Sequence, residues 1–358
     1  MNTTTTVRPK KVPLPSLKAF EDDELMEDCP LTGYPTGWFA ALWSHELPVG
    51  KVVPVHYFGQ DLVVWRSESG EPVVMDAACP HMGCNLAIGA VGHPLEHGGV
   101  VGETIQCPFH GWRFGTDGEN VEIPFSKHLN KAKARVWPTR EFYGRWILFW
   151  HDSLGREPMW EPIPIPELEQ PDKWFIEHDD TGWMNWGDVR QPLVCSSENA
   201  VDAAHVLYVH GSNPKTSTVR QSEGPIWECD FTLTFRNTKG EDVAEGSIDM
   251  QHWGMGFMVH RLNGIRPTIQ IYTPTPTDGW NCVLRGMAFA GREEGEETPP
   301  KIARRVVERQ LHSATEDARI FATMRYIKKP PYAPEEAQNM WKMRRWMRQF
   351  YPMSKEDS

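Results

Sequence analysis

The chain has 358 residues, which is enough for two domains, and 40% of them are hydrophobic, which is enough for a sizeable core. Its net charge of −11 argues against a nucleic-acid-binding protein, which would present a basic face. No long apolar run occurs, and the first residues lack the apolar segment of a signal peptide, so we expect no membrane span and no export. The seven cysteines form no disulfide pattern, which favours a cytoplasmic protein.

The first half of the chain has the sequence pattern of a small β domain. Residues 1–35 predict a polar N-terminal arm. From 36 to 157, short β-forming runs alternate with turn residues, which predicts an all-β domain. Its strands are expected at 52–57, 62–65, 72–75, 104–107 and 146–150. The proline-rich stretch 158–171 predicts a stiff connector between two domains.

The second half, residues 172–358, mixes helical and strand patterns and predicts an α+β domain. A helix is expected from about 196 to 210, because Gly211 follows in the usual C-cap position. Two further helices are expected at 301–327 and 335–350. The β runs of this domain lie at 226–236, 246–262, 268–273 and 281–289. They predict one antiparallel sheet wrapped by helices.

Two short cysteine–histidine pairs carry the clearest chemistry, namely Cys79-Pro-His81 and Cys107-Pro-Phe-His110. Two thiolates and two imidazoles are the ligands of a Rieske [2Fe–2S] centre, in which the cysteines hold one iron and the histidines hold the other. Neutral imidazoles remove negative charge, which raises the reduction potential to roughly −150 to +300 mV from about −400 mV in plant-type clusters. The two pairs therefore predict a one-electron relay.

Zinc is the alternative occupant, since it also accepts two cysteines and two histidines. A zinc finger pairs cysteine with cysteine and histidine with histidine, whereas here each cysteine precedes a histidine. A glycine follows each pair, at Gly83 and Gly111, which suits two tight loops around a cluster. The glycine-rich segment between the pairs predicts an exposed loop, in which we interpret His93 and His97 as solvated residues.

Respiratory Rieske proteins carry a further cysteine in each cluster loop, and the two form a disulfide. Cys84 stands where the first would lie, but Phe109 occupies the matching place in the second loop. The sequence therefore resembles that family less, and we expect Cys84 to be a small buried residue without a disulfide.

A second metal site is predicted by Asp202-Ala-Ala-His205-Val-Leu-Tyr-Val-His210. Asp202 and His205 are three residues apart and would share one helical face. His205 and His210 are five residues apart, which on a straight helix separates them by about 140°. Either a π-bulge brings them together, or His210 lies just past the helix end. Two histidines and a carboxylate form the facial triad that leaves open positions on Fe(II) for O₂.

Glu316 and Asp317 are neighbours in the predicted helix 301–327 and compete for the role of carboxylate ligand. At about 100° per residue, Asp317 lies about 60° from the middle of the apolar stripe of this helix, and Glu316 lies about 160° away. A buried acid is costly unless it is paired or metal-bound. We therefore predict Asp317 as the ligand and Glu316 as solvent-facing. Taken alone, two ordinary histidines and an unrelated acid would explain this pattern equally well.

The two motifs together resemble the oxygenase component of the Rieske non-haem iron oxygenases. C-x-H…C-x-x-H begins at Cys79, and D-x-x-H-x₄-H begins at Asp202. Within that family, the runs CPHMGCNLAIGAV and CPFHGWRFG are similar to those of 3-ketosteroid 9α-hydroxylases and cholesterol 7-desaturases. Asp317-Ala-Arg-Ile-Phe is similar to the D-x-x-I-W segment that carries the carboxylate ligand there.

The resemblance implies a helix-grip catalytic domain in which His205, His210 and Asp317 hold Fe(II). It implies a homotrimer, in which the cluster of one subunit serves the iron of its neighbour and Asp202 connects a cluster histidine to His205 across the interface. A separate NADH-dependent reductase with flavin and a [2Fe–2S] cluster would supply the electrons. The chain itself has no G-x-G-x-x-G loop for a dinucleotide.

The resemblance also implies O₂-dependent hydroxylation of a steroid or a similar polycyclic apolar substrate. Methionine and aromatic residues at 250–262 suit an adaptable pocket, although they suit a sheet core equally well. We interpret His252 and His260 as structural. Two alternatives stay open. One is sterol desaturation or oxygenation of another apolar substrate. The other is a Rieske electron-transfer protein without oxygenase activity, which would be expected to lack an iron ligand.

Overall fold

A computed structural model describes residues 31, 33–88, 98–176, 182–236, 239–327 and 329–351. Most of the predicted N-terminal arm lies outside these residues, as do His93 and His97. The chain forms two compact units, of which the first is Trp38–Met159 and the second contains the residues from Trp160 onward. Among the helices described, none is long and apolar enough to cross a membrane.

The first unit consists of β-strands, as the sequence predicts. Its strands are β1 (Gly37–Trp43), β2 (Val52–Tyr57), β3 (Gln60–Arg66), β4 (Pro72–Asp76), β5 (Gly99–Val101), β6 (Thr104–Gln106), β7 (Arg113–Gly115), β8 (Asn120–Glu122), β9 (Val136–Trp137), β10 (Thr139–Phe142) and β11 (Trp146–His151). They form three sheets, with the orders β1–β11–β10, β2–β3–β4–β9 and β5–β6–β7–β8. A 3₁₀ turn at Ser44–Glu46 follows β1.

The second unit is built around one seven-stranded antiparallel sheet with the order β12–β18–β17–β16–β15–β14–β13. Its strands are β12 (Trp183–Arg190), β13 (Asn213–Gln221), β14 (Ile226–Arg236), β15 (Asp242–Trp253), β16 (Phe257–Asn263), β17 (Thr268–Pro276) and β18 (Asn281–Ala290). Its helices are α1 (Leu193–Asn199), α2 (Ala203–Tyr208), α3 (Lys301–Phe321) and α4 (Pro334–Arg348). A 3₁₀ turn at Pro166–Glu169 precedes them.

Three predicted elements of this unit differ most from the structure. The run 246–262 is two strands, because the chain turns at Gly254, whose φ of +53° suits glycine. The helix at 196–210 is broken into α1 and α2, with Ala200 to Asp202 between them. The third helix ends at Phe321, since Ala322 is its C-cap residue.

Helix α3 packs against the sheet, and these contacts determine which face of the helix points toward the sheet. Its buried side chains, among them Val307 and Leu311, join Trp186 and Leu284 in one core cluster. The indole Nε1 of Trp186 donates a hydrogen bond of 3.0 Å to Thr315 Oγ1 inside this cluster. Strand β18 accommodates the indole because Gly286 has no side chain, and a Cβ there would lie 2.7 Å from the Trp186 ring. The face of α3 that carries Thr315 is therefore held against the sheet.

Candidate metal centres and cavity

The two cysteine–histidine pairs lie on two loops that have the same backbone turn. In the first, Cys79 N–H donates to Cys84 O at 2.8 Å and Gly83 N–H donates to Cys79 O at 2.8 Å. In the second, Cys107 N–H donates to Trp112 O at 2.7 Å and Gly111 N–H donates to Cys107 O at 3.0 Å. Gly83 and Gly111 have φ values of +76° and +73°, a conformation that glycine adopts without strain. The predicted tight loops are therefore present and closely alike.

The thiols of Cys79 and Cys107 are buried and hydrogen-bonded to each other. The hydrogen bond from Cys79 lowers the pKa of Cys107 to about 5, with the backbone N–H groups of Phe109 and His110 adding to the effect. The same hydrogen bond raises the pKa of Cys79. One thiolate therefore forms readily in this site, and thiolate is the form of cysteine that binds a metal.

The histidine rings of the two loops lie together in the first unit. The ring centroids of His81 and His110 are 4.8 Å apart, and His81 stacks on Trp112 at 4.1 Å. The Nδ1 atom of His110 is buried and has no hydrogen-bond partner among the described residues. A buried nitrogen without a partner is costly, and a metal ion would satisfy it. The four residues therefore fit a [2Fe–2S] cluster.

Cys84 is a free thiol, as expected from the absence of a second loop cysteine. It is half-buried and packs against the hydrophobic core of the first unit, and burial raises its pKa. Phe109, at the matching place in the second loop, is 60% exposed.

In the second unit, the break between α1 and α2 positions the histidines of the second motif. Asp202 is the N-cap residue of α2, and its Oδ1 accepts the His205 backbone N–H at 3.1 Å. Val209 is the C-cap residue, so His210 lies just past the helix end. Of the two geometries that the sequence left open, the helix end is therefore correct and no π-bulge is needed.

The structure brings His205, His210 and Asp317 together. Each offers one ligand atom, and these atoms all lie within 4.8 Å of one another. His210 Nε2 is 3.1 Å from Asp317 Oδ1, and the histidine rings are 5.2 Å apart and nearly perpendicular. Asn199, which the sequence did not single out, donates from Nδ2 to Asp317 Oδ2 at 3.2 Å. The arrangement is a two-histidine, one-carboxylate set of the kind that binds Fe(II).

Hydrogen bonds on the Nδ1 atoms decide which ring nitrogens can bind a metal. His205 Nδ1 bonds to the main-chain oxygen of Asp202, which can only accept, so Nδ1 carries the proton. His210 Nδ1 lies 3.0 Å from Glu316 Oε2, and the same reasoning places a proton there. When such a ring is neutral, its lone pair is on Nε2, which is the form of histidine that ligates metals. The Nε2 atom of His210 faces Asp317 Oδ1, so a metal ion would take the place of the proton between them.

Glu316 is not solvent-facing, contrary to the prediction. Its Oε2 accepts from His210 and also from Arg309 Nη1 at 2.9 Å, while Arg309 Nη2 donates to His210 O at 3.2 Å. The prediction was wrong because a helical wheel identifies only the apolar face of α3, which packs against the sheet. It does not show polar contacts on the other faces of the helix. The loop after α2 covers a second face of the helix.

The directions in which the pKa values of His205, His210 and Glu316 are shifted agree with their burial and hydrogen bonds. Burial lowers the pKa of His205, which keeps its ring neutral. Burial also acts to lower the pKa of His210, but the hydrogen bond to Asp317, and then the one to Glu316, outweigh it and raise the pKa. Burial acts to raise the pKa of Glu316, but the hydrogen bonds from Arg309 and His210 lower it, so Glu316 is a carboxylate.

A cavity of about 160 Å³ lies against this triad. His205, His210 and Asp317 line it together with residues of the inner face of the sheet. Most of the other lining side chains are apolar, and they include Phe231, Ile248, Met250, Met258, Leu262 and Leu284. The strand register explains this wall, because paired residues such as Met250 and His260 lie side by side on one face.

Two family descriptions match the two halves of the chain. Residues 37–133 match the Rieske [2Fe-2S] domain, and residues 149–351 match the 3-ketosteroid 9alpha-hydroxylase C-terminal domain. The second match alone covers more than half of the chain.

Known proteins are similar along most of the chain. A cholesterol 7-desaturase of Xenopus laevis is 28% identical over 89% of this chain and 72% of its own length. A probable 3-ketosteroid-9-alpha-monooxygenase, oxygenase component, of Rhodococcus rhodochrous is 30% identical over 89% of this chain and 80% of its own. The crystal structure of dicamba monooxygenase with non-heme iron and dicamba superposes with a TM-score of 0.60 at 16% identity. The superposition covers 88% of this chain and 96% of the dicamba monooxygenase chain, so the two chains have the same fold.

Proposed function

Because this chain belongs to the Rieske oxygenases with a 3-ketosteroid 9α-hydroxylase type of C-terminal domain, we propose that it hydroxylates a steroid or a similar polycyclic apolar molecule. It is the oxygenase component of a Rieske monooxygenase. One observation carries the substrate proposal, namely that the His205–His210–Asp317 triad opens onto a cavity with mainly apolar walls. The similar proteins named for steroid and cholesterol chemistry support it.

We assign the cluster to Cys79, His81, Cys107 and His110. The support is the pair of matching loops, the low pKa of the Cys107 thiol and the unpartnered Nδ1 of His110. When bound, the cluster supplies single electrons.

We assign the mononuclear iron to His205, His210 and Asp317, where it supplies the activation of O₂. The side chains around the iron site orient its ligands and exclude water from it. Asp202 and Glu316 hold the two imidazoles with Nε2 available, and Asn199 holds the carboxylate. The apolar cavity wall excludes water and places a carbon of the substrate beside the triad.

The proposed domain division is 36–157 for the Rieske domain, 158–171 for the connector and 172–358 for the catalytic domain. The two compact units of the structure, which divide after Met159, support it.

An oxygenase component works with a separate reductase, which delivers the electrons. We propose that this partner is an NADH-dependent protein with flavin and a [2Fe–2S] cluster, that the oxygenase is a cytoplasmic homotrimer, and that Asp202 connects a cluster histidine of one subunit to His205 of the next. The main-chain oxygen of Asp202 accepts from His205 Nδ1, which connects this residue to the iron ligand. The Oδ2 atom of Asp202 does not cap α2, so it is available to a histidine of the neighbouring subunit.

The test combines metal analysis with turnover. We expect about three irons and two labile sulfides per chain, since a cluster and a single iron are both held. With a reductase and NADH, steroids should stimulate O₂ uptake and yield a hydroxylated product. A chain with two irons and no steroid-dependent uptake would instead be an electron carrier.

Desaturation is the second candidate, and the similarity to a cholesterol 7-desaturase favours it specifically. Mass spectrometry separates the two reactions, because hydroxylation adds one oxygen atom to the substrate and desaturation removes two hydrogen atoms.

A further inference from the structure

Four polar residues of the cavity lining are connected through one main-chain oxygen. Gln270 and Tyr272 lie on β17, and Gln310 and Ser313 lie on α3. Gln270 Nε2 donates to Gln310 O at 2.7 Å, and Ser313 Oγ donates to the same oxygen at 2.6 Å. The phenol of Tyr272 is hydrogen-bonded to Ser313. The sheet and the helix therefore share a polar cluster in a wall that is otherwise mainly apolar.

The side-chain amide of Gln270 has a defined orientation, because its partner Gln310 O is a main-chain carbonyl and can only accept. Nε2 must face that oxygen, so Oε1 points away from it. This is the one hydrogen bond of the Gln270 side chain among the described residues. The residue is only 3% exposed and lines the cavity, and Oε1 is not among the unpartnered atoms that the protein encloses completely. Oε1 is therefore a fixed acceptor that borders the cavity.

Tyr272 places a phenol beside this acceptor. Gln270 and Tyr272 are two residues apart on β17, and alternate residues of a strand lie on the same face. Burial, and then the charge of Asp317, hold the pKa of Tyr272 well above its usual range, so the phenol keeps its proton. A protonated phenol can donate or accept, whereas Gln270 Oε1 can only accept. Together the two residues can bind one oxygen-containing group.

Helix α3 relates these two residues to the proposed iron ligands. Ser313 and Gln310, which hold Tyr272 and Gln270, precede Asp317 by four and seven residues. These separations correspond to a rise of about 6 Å and about 10 Å along the helix. A fused ring system can span this length, so a ligand can bind at the polar cluster and still place another of its carbons beside the triad.

We infer that Gln270 and Tyr272 bind an oxygen substituent of the substrate and thereby determine which carbon reaches the metal triad. The inference rests on the proposed steroid substrate and adds the polar contact that orients it. A hydroxyl can donate to Gln270 Oε1 and also accept from Tyr272, while a ketone can accept from Tyr272. Because the rest of the sheet wall is mainly apolar, this contact distinguishes one end of the substrate from the other.

The direct test compares ligands that share one ring skeleton and differ in their oxygen. Suitable probes are 5α-androstane, 5α-androstan-3β-ol and 5α-androstan-17β-ol, with affinities for the metal-loaded protein measured by equilibrium dialysis. In Gln270→Met and in Tyr272→Phe, we expect at least one alcohol to bind about fivefold to tenfold more weakly than in the wild type, roughly the effect of one lost hydrogen bond. The affinity for 5α-androstane should stay within about twofold, because the hydrocarbon makes no such bond.

Thr273→Val is the matched control. Thr273 follows Tyr272 on β17 but lies on the opposite face of the strand, and it is buried outside the cavity lining. This variant also replaces a polar group of β17 by an apolar one of similar size. It should leave all three affinities within about twofold of the wild type.

The product distribution gives a second readout that a merely structural role would not change. With the reductase and NADH, the wild-type protein should hydroxylate the bound alcohol mainly at one carbon. The double variant with Gln270→Met and Tyr272→Phe should yield more positional isomers, because the substrate is no longer held at one end. Mass spectrometry and NMR of the products measure the ratio.

The outcomes separate this inference from the proposed function. Equal weakening of 5α-androstane and the alcohols, alcohol affinities that both single variants leave unchanged, or an unchanged ratio of products would each overturn the role of Gln270 and Tyr272 and leave a steroid substrate in place. If none of the three probes binds to the wild-type protein, the steroid substrate is wrong, and the inference is wrong with it.

Discussion

Hydrogen bonds to the far side of each imidazole set the geometry of the metal triad. The Nδ1 atom of His210 is held by Glu316, which Arg309 holds in turn, and Arg309 also reaches the main-chain oxygen of His210. The three residues form a closed ring of contacts that fixes the direction of His210 Nε2. Partners of this kind typically change metal affinity or activity by 10- to 100-fold when they are removed.

We therefore predict that Glu316→Ala weakens iron binding about 10- to 100-fold, because the ring of His210 is then free to turn. Glu316→Gln keeps an oxygen acceptor at the same place and should recover most of the affinity. Iron affinity measured by competition with a chelator gives the result without any turnover assay. Equal affinities of wild type and Glu316→Ala would show that the contact has no positioning role.

Asp202 caps α2 and, in the proposed function, also connects a cluster histidine to His205, and mutation can separate these two roles. We predict that Asp202→Asn keeps both metals and the stability of α2, because an asparagine oxygen also caps a helix, yet loses most of the turnover. Asp202→Ala should lose about 1 kcal/mol of stability in addition, as is typical of a lost N-cap. Metal content, urea unfolding and steady-state turnover distinguish the two effects. Full turnover in Asp202→Asn would count against electron delivery through this carboxylate.

The sequence predicted more of the metal-binding side chains than of their supports. Metal ligands can be identified in a sequence by residue type and spacing. The three triad residues were predicted in this way, and the structure brings them together. Asn199 and Arg309 carry no such mark, because their contacts join segments far apart in the chain.

At the scale of elements, the two cluster loops depend on left-handed glycines. We predict that Gly83→Ala lowers the free energy of unfolding of the Rieske domain by about 1–2 kcal/mol, since an added Cβ meets no atom within 4 Å and only backbone strain opposes it. Gly111→Ala should cost more, because its Cβ would also lie 3.0 Å from Pro124 Cγ. Urea unfolding monitored by cluster absorbance measures both.

Asparagine tolerates the left-handed conformation, so Gly83→Asn serves as the control and should be less destabilising than Gly83→Ala. If Gly111→Ala were more stable than Gly83→Ala, the structure would have adjusted around Pro124 without losing stability.

An ion pair joins β3 to β10 in the first unit and makes its stability depend on pH. The buried guanidinium of Arg66 donates to both carboxylate oxygens of Glu141, at 2.8 and 2.9 Å, and this lowers the pKa of Glu141. A carboxyl whose pKa is lowered by folding stabilises the protein above its unfolded pKa. That stabilisation is lost as the pH falls through the folded pKa.

We predict that Glu141→Gln destabilises the first unit by about 1–3 kcal/mol at pH 7 and by much less at pH 3. Glu119→Gln is the matched control, because the pair between Glu119 and Lys133 is about half exposed and should contribute under about 1 kcal/mol. Urea unfolding at the two pH values measures the difference, and an equal loss at both would contradict it.

The element bounds show why sequence patterns are incomplete. Strands β2 and β14 were predicted with their observed bounds. Strands β12 and β13 were not predicted, although they have eight and nine residues. Strands of two or three residues, such as β9, have too few positions to show a period. The break between α1 and α2 leaves the helical pattern of the sequence intact, because Ala200 and Val201 are buried just as a continuous helix would bury them.

For the whole molecule, the proposed trimer predicts that one defective chain can rescue another. Cys107→Ser should lose the cluster, and His205→Ala should lose the iron, so each alone is inactive. Co-expressed in equal amounts, about a quarter of the cluster–iron pairs in random symmetric trimers would join two intact partners. We expect that fraction of wild-type turnover. As the control, the two variants are purified separately and mixed under conditions in which subunits do not exchange, and this mixture should be inactive. Complete inactivity of the co-expressed chains would contradict electron transfer between subunits.

The fold of the whole molecule was predictable because two metal motifs identified its family. The predicted order, an all-β Rieske domain followed by a helix-grip domain, is confirmed by the family matches at 37–133 and 149–351. The substrate was not predictable in the same way. A cavity wall is assembled from β14 to β18 and α3 together, and only the register determines which side chains face inward.

Helix α3 presents three consecutive residues to three different partners. Thr315 is bonded to the sheet, Glu316 to His210, and Asp317 belongs to the triad. One extra residue in the middle of this helix would turn these side chains by about 100° relative to the upstream core contacts and separate them from their partners. We therefore expect related sequences to keep the spacing between Val307 and Asp317 in α3, so alignments of distant relatives can be anchored there.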